Sequence, residues 1–278
     1  HRKAWQRIAD SLVEMTQERM QRILSEPSAV FGDWTANIIE DATIDDLDPD
    51  AIRMAREKYT ERHEIRAKEI ESWDDATFLN KAKITRAGKI TNAAIILLGR
   101  EESEHFLSPA VCVIRWKLLA KEDKNKDFHN FHVPMIKSVE EITTGYIRNN
   151  NYVYTVSGNI FPENMMRYDV FTLREPICNA IGHQDYGMGA RIELLEYEDE
   201  KLVIQNYGQF IPNSVEDVVE KDCPDSRYRN PFLMEAMCNI GMAETEGGGI
   251  RKLFVQQKKR FFPMPIYDLS GQKVRREI

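Results

Sequence analysis

Three polar side chains, Glu175, Asn179 and His183, recur at steps of four residues within the stretch "REPICNAIGHQDYGMG" at 174–189. Residues four apart lie on the same side of a helix, so the spacing predicts a helix that carries a polar stripe. The isoleucines on either side of Asn179 point the other way and can bury. Asn is a mediocre helix former, so the helix itself does not require this stripe. We expect the stripe to bind either a ligand or a neighbouring loop.

A run of three glycines, Gly247, Gly248 and Gly249, directly precedes a second predicted helix, "IRKLFVQQKKR". Backbone N–H groups at a helix N-terminus are free and that helix end is partly positive, so such a loop suits a phosphate group. A flexible joint is the alternative. Between the two helices the sequence predicts two strands, "ARIELLEYED" and "KLVIQNYG", and the second ends in the turn Asn206-Tyr207-Gly208.

The order of these elements resembles the Bergerat (GHKL-type) nucleotide fold. More narrowly, "REPICNAIGHQDY", "IQNYG", "RNPFLMEAM" and "EGGGIRK" resemble the C-terminal half of the RecG-like, AlbA-type (Schlafen AlbA-related) family of transcriptional regulators. The resemblance extends to "GDWTANIIEDATIDDLDPDAIRMAREKY" and so covers most of the chain. It implies an α+β fold, with a mixed, mostly antiparallel sheet covered by helices.

Transferred residue by residue, the resemblance implies a site for ATP with magnesium. Asn179 is the expected magnesium ligand, and Glu175 is the expected catalytic carboxylate that activates water. The expected cofactor-binding residues are Asn179, His183, Asn206, Gly208, Gly247, Gly248 and Gly249. The turn departs from the fold's Asp-x-Gly-x-Gly pattern, because Asn206 replaces the Asp that accepts from the adenine amino group. The resemblance therefore implies weakened selectivity for adenine.

Several reactions lack support in the sequence. A P-loop helicase needs Gly-x-x-x-x-Gly-Lys-Ser/Thr, which is absent, and the short segment between Gly208 and Asn230 predicts weak or absent ATPase activity. His129 and His132 could form a metal pair, although a surface or core pair is the alternative. Cys178 is expected in the core rather than as a nucleophile.

Composition indicates a globular chain of 278 residues, 42% hydrophobic and 30% charged, with a formal net charge of −7. A net acidic chain binds phosphate backbones poorly. The four cysteines form no CxxC pair, which favours a reducing, cytoplasmic setting. The longest apolar run, "AAIILLG", is too short to span a bilayer, so no membrane association is expected.

We predict three segments: 1–72, the end of an AlbA-type domain followed by a helical arm; 73–150, a small α/β unit; and 151–278, the Bergerat-like domain. The remainder of the AlbA-type domain is expected before His1. Helices are predicted at 16–26, from Pro49 with Asp48 as N-cap, at 136–150, and from Pro231 with Asn230 as N-cap.

The function implied by the resemblance is that of a regulatory nucleotide-binding module in a transcriptional regulator. DNA contact would be made by the AlbA-type domain expected before His1, and the chain is expected to form a homo-oligomer. The alternative is a degenerate fold without a ligand that acts as a dimerisation or scaffold module.

One prediction follows from charge alone. Because the chain is net acidic and lacks a recognisable groove-reading element, it should bind duplex DNA weakly or not at all at physiological salt. A mobility-shift titration checks this. A tight complex with sequence preference would show that a DNA-binding surface lies within these residues.

Overall fold

The structure is a computed structural model of the 278-residue chain. It describes residues 33–120, 124–148, 165–198, 200–212, 214–220, 228–244 and 248–278, together with the backbone of strands 5–8, 11–14, 151–154 and 163–166. The predicted helix at 16–26 and the predicted site residue Gly247 lie outside the described residues. No helix in the described part of the chain is long and apolar enough to cross a membrane.

The fold is α+β, as predicted, with a six-stranded mixed sheet and surrounding helices. The α-helices are α1 Pro49–Arg62, α2 Ala67–Glu71, α3 Asp75–Lys81, α4 Asn92–Leu98, α5 Met135–Glu141, α6 Val170–His183, α7 Val215–Glu220, α8 Pro231–Asn239 and α9 Gly249–Lys259. The strands are β1 Trp5–Ile8, β2 Ser11–Glu14, β3 Ile114–Leu119, β4 Asn125–Phe131, β5 Asn151–Tyr154, β6 Glu163–Met166, β7 Ile192–Tyr197, β8 Lys201–Tyr207, β9 Ile266–Asp268 and β10 Lys273–Glu277.

The main sheet has the strand order β4-β3-β7-β8-β10-β9. Neighbouring strands are antiparallel except β3 and β7, which are parallel. This parallel pair joins a strand of the predicted 73–150 unit to a strand of the predicted 151–278 domain. The division into three segments stays a prediction, although the sheet itself crosses position 150.

Helix α6 begins at Val170, four residues before the stretch 174–189 from which the helix was predicted. Its N-cap is Asp169, whose side chain accepts from the backbone N–H of Thr172. That hydrogen bond satisfies one of the four free N–H groups of the first turn. An Asp three residues before a Thr at the start of an apolar segment was the available signal. The helix thus reaches the site with its first turn already fixed.

Two segments differ from expectation because their sequence patterns are weak. The polar segment 120–132 contains the edge strand β4, whose side chains are almost all exposed and therefore show no alternation. The helix predicted at 136–150 is shorter: α5 passes at Ile142 into a five-residue π-helix that ends at Tyr146.

The N-terminus of α8 is capped by residues from a distant part of the chain. The Asp33 carboxylate accepts from Phe232 N at 2.5 Å, and Thr35 Oγ1 accepts from Leu233 N at 3.3 Å. The expected N-cap, Asn230, precedes the helix but makes no capping hydrogen bond from its side chain among the described residues. Asn230 is thus the N-cap residue and Pro231 begins the helix, as predicted, but a tertiary contact rather than the Asn230 side chain satisfies these donors.

The side chain of Asn230 instead holds the end of α6. Its amide nitrogen donates to the carbonyl oxygens of Gly182 at 3.0 Å and Gln184 at 2.9 Å. Asn230 is buried, so water does not readily replace it as a donor. This contact fixes α6 relative to α8.

Replacing Asn230 with Ala should lower the free energy of unfolding by about 1–3 kcal/mol, because two buried carbonyl groups lose their donor. Urea unfolding followed by circular dichroism measures this change. The dependence of the unfolding free energy on urea concentration is expected to stay constant. The matched control is Asn80→Ala on the exposed face of α3, which should leave stability unchanged or slightly higher. Equal effects for the two variants would contradict a structural role for Asn230.

Candidate functional site

Helix α6 places the predicted polar stripe along one wall of an internal cavity. Glu175, Asn179 and His183 all line this cavity. Ile177 and Ile181 lie on the opposite side of the helix and are fully buried in the core. The structure thus brings the three polar side chains together on one helix face.

Glu175 is the most buried member of the stripe. Its Oε1 atom accepts a hydrogen bond from Asn179 Nδ2 at 3.0 Å. Burial raises the pKa of Glu175 above the ordinary value of 4.5; the hydrogen bond from Asn179 lowers it, and the negative charge of Glu244 raises it further. Because the folded protein holds this proton more tightly than the unfolded chain, the contribution of Glu175 to stability falls as pH rises above that ordinary value.

The N-terminus of α9 lies against the Glu175 carboxyl group. A Cβ atom built on Gly249 would sit 1.5 Å from Glu175 Oε1, so no other residue fits there while Glu175 keeps its position. The helix N-cap is Gly248, whose own Cβ position faces open space. The first turn of α9 therefore lies at the cavity wall, and its N-cap residue supplies no side-chain cap.

Asn206 on β8 and Gly208, directly after that strand, lie beside the site. Asn206 is fully buried; its Nδ2 donates to His183 O at 3.4 Å and Tyr207 O at 3.2 Å, and its Oδ1 accepts from Arg276. Gly208 adopts a φ of +120°, and a Cβ there would lie 2.8 Å from Arg229 Nε. Both residues stand beside the end of α6, and neither lines the cavity itself.

Arg276 is a cavity-lining residue that sequence reasoning missed. It lies on β10 opposite Ile204 of β8, is almost fully buried, and lines the cavity. Its Nη1 donates to Asn206 Oδ1 at 3.0 Å. Burial lowers the pKa of Arg276, and nearby Tyr267 and Glu175 act in the opposite direction. The available signal was the strand period of two, which puts Arg276 on the same inward face as Val274.

The cavity is narrow. Its volume is about 70 Å³, whereas pockets for small ligands typically measure roughly 300–1,000 Å³. It therefore accepts a nucleotide only if its lining moves apart.

Two buried polar atoms of opposite charge face this region without hydrogen-bond partners among the described residues: Glu175 Oε2 and Arg276 Nε. Folded proteins pair nearly all such atoms, so each one points to a further partner. A magnesium nucleotide would supply both kinds of partner. Its oxygen and nitrogen acceptors suit Arg276, and the water molecules that magnesium retains are donors suited to a carboxylate. The residues present therefore fit the implied ligand.

A magnesium ion here would depend mainly on its own phosphates and water. The described residues contain no group of three or more His, Cys, Asp or Glu side chains that could hold a metal. Because Asn179 Nδ2 donates to Glu175, the amide oxygen of Asn179 is the atom left for a metal. One protein oxygen with phosphates and water is a common environment for magnesium.

The histidines considered as a metal pair and the cysteine considered as a nucleophile make other contacts in the structure. His132 Nδ1 lies 2.7 Å from Glu104 Oε2, while the His129 ring contacts Phe131 and Tyr146. Burial raises the pKa of Cys178 far above its ordinary value, so its thiol is not activated.

The region after α6 matches a known family model. Residues 189–277 match the family model described as "Putative ATP-dependent DNA helicase recG C-terminal". This RecG-type region contains Asn206, Gly208, Gly249 and Arg276, whereas the stripe on α6 lies before it. The match supports the predicted RecG-like fold of the ATP-binding type for the C-terminal part of the chain.

Two further comparisons bear on the rest of the chain. Residues 21–114 match a family model described as a domain of unknown function. No curated protein sequence matches the chain.

A solved structure resembles the whole fold, including the RecG-type region. This is the DIP2311 protein from Corynebacterium diphtheriae, with a TM-score of 0.68 and 16% sequence identity. The alignment covers 99% of this chain and 53% of that protein, so the chain spans about half the length of its structural relative. At this identity the similarity concerns the fold.

The ionisation of His183 gives a prediction. Burial, with the positive charges of Arg276 and Arg229, lowers its pKa from 6.5 to about 4. Between these two values the unfolded chain binds the proton more tightly, so the contribution of His183 to stability is lost as pH falls from 6.5 toward 4. His183→Gln should flatten the dependence of unfolding free energy on pH across that window.

Urea unfolding at several pH values checks this expectation. His129→Gln is the matched control, because His129 is exposed and lies away from the cavity. An unchanged pH dependence in His183→Gln would contradict the lowered pKa.

Proposed function

We propose that the C-terminal part of the chain binds a magnesium nucleotide in the cavity between α6, α9 and β10, as a regulatory ligand. The observation that carries this proposal is a pair of buried atoms at one cavity, Glu175 Oε2 and Arg276 Nε, which lack hydrogen-bond partners in the part of the chain that the structure describes. A ligand with both anionic acceptors and metal-bound water satisfies both. ATP is the nucleotide that the family resemblance implies and the first one to test.

Each part of the ligand has a proposed partner. The backbone N–H groups at the start of α9, near Gly248 and Gly249, suit the phosphates, and the positive end of this 11-residue helix favours their charge. The amide oxygen of Asn179 is the proposed magnesium ligand. Arg276 is the proposed hydrogen-bond donor from the sheet.

Binding rather than hydrolysis is the proposed activity. A carboxylate that activates water must hold that water between itself and the γ-phosphate. The carboxyl group of Glu175 fills the space beside Gly249 at the helix end, which leaves little room for such a water. Glu175 is therefore proposed to accept from magnesium-bound water, with weak or absent ATPase activity.

The regulatory role extends beyond the described residues. We propose that an AlbA-type domain preceding residue 1 contacts DNA, that the chain acts in a cytoplasmic transcriptional regulator, and that it forms a homo-oligomer. The family resemblance carries these parts of the proposal.

A second candidate function rests on the cavity volume of about 70 Å³. A site this narrow also fits a domain that kept the nucleotide fold, lost the ligand and serves as a dimerisation or scaffold unit. In that case the polar stripe would only hold α6 against α9.

Asn179→Ala separates the two functions. If Asn179 binds magnesium, the variant should lose the magnesium-dependent rise in melting temperature that ATP gives the wild type. It should also unfold about 1–3 kcal/mol more easily without ligand, because Glu175 loses its hydrogen-bond donor. The matched control is Asn239→Ala on α8, which also removes one hydrogen bond, to Ala82 O, away from the cavity; it should keep the response to ATP.

Thermal melts with and without Mg-ATP, supported by calorimetric titration, measure these effects. His183 offers a second readout, since a bound anion should raise its pKa, and NMR titration detects that change. No change in melting temperature or His183 pKa with any magnesium nucleotide would favour the scaffold function.

A further inference from the structure

Helix α9 ends in a Schellman motif whose left-handed position is occupied by a phenylalanine. Phe262 N donates to Gln257 O at 3.0 Å, and Phe261 N donates to Lys258 O at 3.2 Å. Phe261 adopts a φ of +58°, a conformation that such motifs usually give to glycine, because a Cβ atom is strained there. The geometry of the turn therefore does not explain a phenylalanine at position 261.

The end of α9 is also both apolar and basic on its surface. The Phe261 side chain is 74% exposed, and Met264 close after it is exposed as well. Lys258 and Lys259 are exposed and form no ion pair with any residue that the structure describes. We call Lys258, Lys259, Phe261 and Met264 the α9 tip. A strained backbone and an exposed aromatic side chain both cost an isolated chain stability, which points to a partner that covers the tip.

An open groove of the opposite charge lies between α1 and α2. Its volume is about 590 Å³, within the range of roughly 300–1,000 Å³ that takes compact groups. Glu57, Glu61, Glu64 and Glu71 line this α1–α2 groove. Glu61 is paired with Lys58, whereas the other three glutamates form no ion pair within the part of the chain that the structure describes.

The basic and apolar side chains at the α1–α2 groove leave its negative charge in place. Arg56 also lines the groove, but its guanidinium group already donates to two backbone carbonyl groups and to Asp75. Ile65, directly after Glu64, is fully exposed. The groove thus offers unpaired negative charge beside an apolar side chain, as the α9 tip offers unpaired positive charge beside a phenylalanine.

We infer that the α9 tip of one copy of this chain docks into the α1–α2 groove of a second copy, with Phe261 as the anchor. Lys258 and Lys259 pair with the groove glutamates, and Ile65 covers the aromatic ring. The inference rests on the homo-oligomer included in the proposed function and assigns the two surfaces that form it. A second copy is the occupant because one chain carries both complementary surfaces, and neither surface neutralises the other within the described chain.

The two lysines alone would not require a partner. Basic side chains at a helix C-terminus interact favourably with the helix dipole, but this effect does not account for the exposed phenylalanine next to them. A contact between two different surfaces is head-to-tail, so it closes a ring or extends into a filament according to the rotation between copies.

Charge reversal on each surface tests the contact, with sedimentation velocity of the chain over a range of concentrations as the measurement. Lys258→Glu with Lys259→Glu, and separately Glu57→Lys with Glu64→Lys, should each weaken self-association on the order of tenfold or more, because like charges then face each other. Added salt should weaken association of the wild type. An equimolar mixture of the two double variants should associate again, because opposite charges meet once more.

Phe261→Gly tests the anchor separately. Glycine adopts a positive φ without strain, so the variant should melt at the same temperature or higher at a dilution where the wild type is monomeric. Its self-association should nonetheless weaken on the order of tenfold. A purely structural Phe261 would show the reverse, with lower stability and unchanged association. The matched control is Phe128→Ala, which removes an exposed phenylalanine from β4, at the opposite edge of the main sheet from β9; it should associate like the wild type.

The outcomes separate this inference from the proposed function. If the wild type associates and neither the charge variants nor Phe261→Gly weaken it, the assigned surfaces are overturned while the homo-oligomer stands. If the wild type stays monomeric, both the surfaces and the homo-oligomer are overturned, and melts with Mg-ATP still judge nucleotide binding on their own. Should one variant not fold, as judged by circular dichroism, the remaining variants decide.

Discussion

The last carbonyl groups of helix α6 are the constraint on which the rest of the site depends. A helix ends with four carbonyl groups that lack partners within the helix. Here Gly182 and Gln184 are bound by Asn230, and His183 is bound by Asn206. Two asparagines, one before α8 and one on β8, thus join the helix to its neighbours. Because both hold the C-terminal end of α6, they also fix the direction in which the polar stripe of α6 points.

The cavity combines groups that are costly to bury. Glu175 and Arg276 carry opposite charges, yet each keeps one polar atom without a partner among the described residues. Taking a charge out of water is unfavourable unless it is well paired. The protein lessens this cost partly through Asn179 for the carboxyl group and through Asn206 for the guanidinium group. Such incomplete pairing is typical of sites where function, rather than stability, selects the residues.

Local spacing predicted that Glu175, Asn179 and His183 share one face of a helix, whereas the family resemblance implied the α+β fold and the site that joins this stripe to Gly249. The spacing of four residues and the glycine run before a helix both follow from helix geometry. Contacts between distant segments could not be predicted in the same way. The capping of α8 by Asp33 involves residues 199 positions apart. Asn206 was predicted to bind the ligand, but in the structure its side chain is bound by Arg276. That contact depends on the pairing of β8 with β10, which the local sequence does not show. Strand β4 was missed because an exposed edge has no apolar pattern.

The parallel contact between β3 and β7 limits how the chain can be divided. Ile114 pairs with Ile192 and Trp116 pairs with Leu194, and all four side chains are buried. A fragment that began after residue 150 would lose β3 and expose the hydrogen-bonding edge of β7 together with its apolar side chains. Open apolar edges of this kind attract other strands, so such a fragment would tend to aggregate. A fragment meant to keep this sheet intact would therefore have to begin before Ile114, so that β3 still covers the edge of β7.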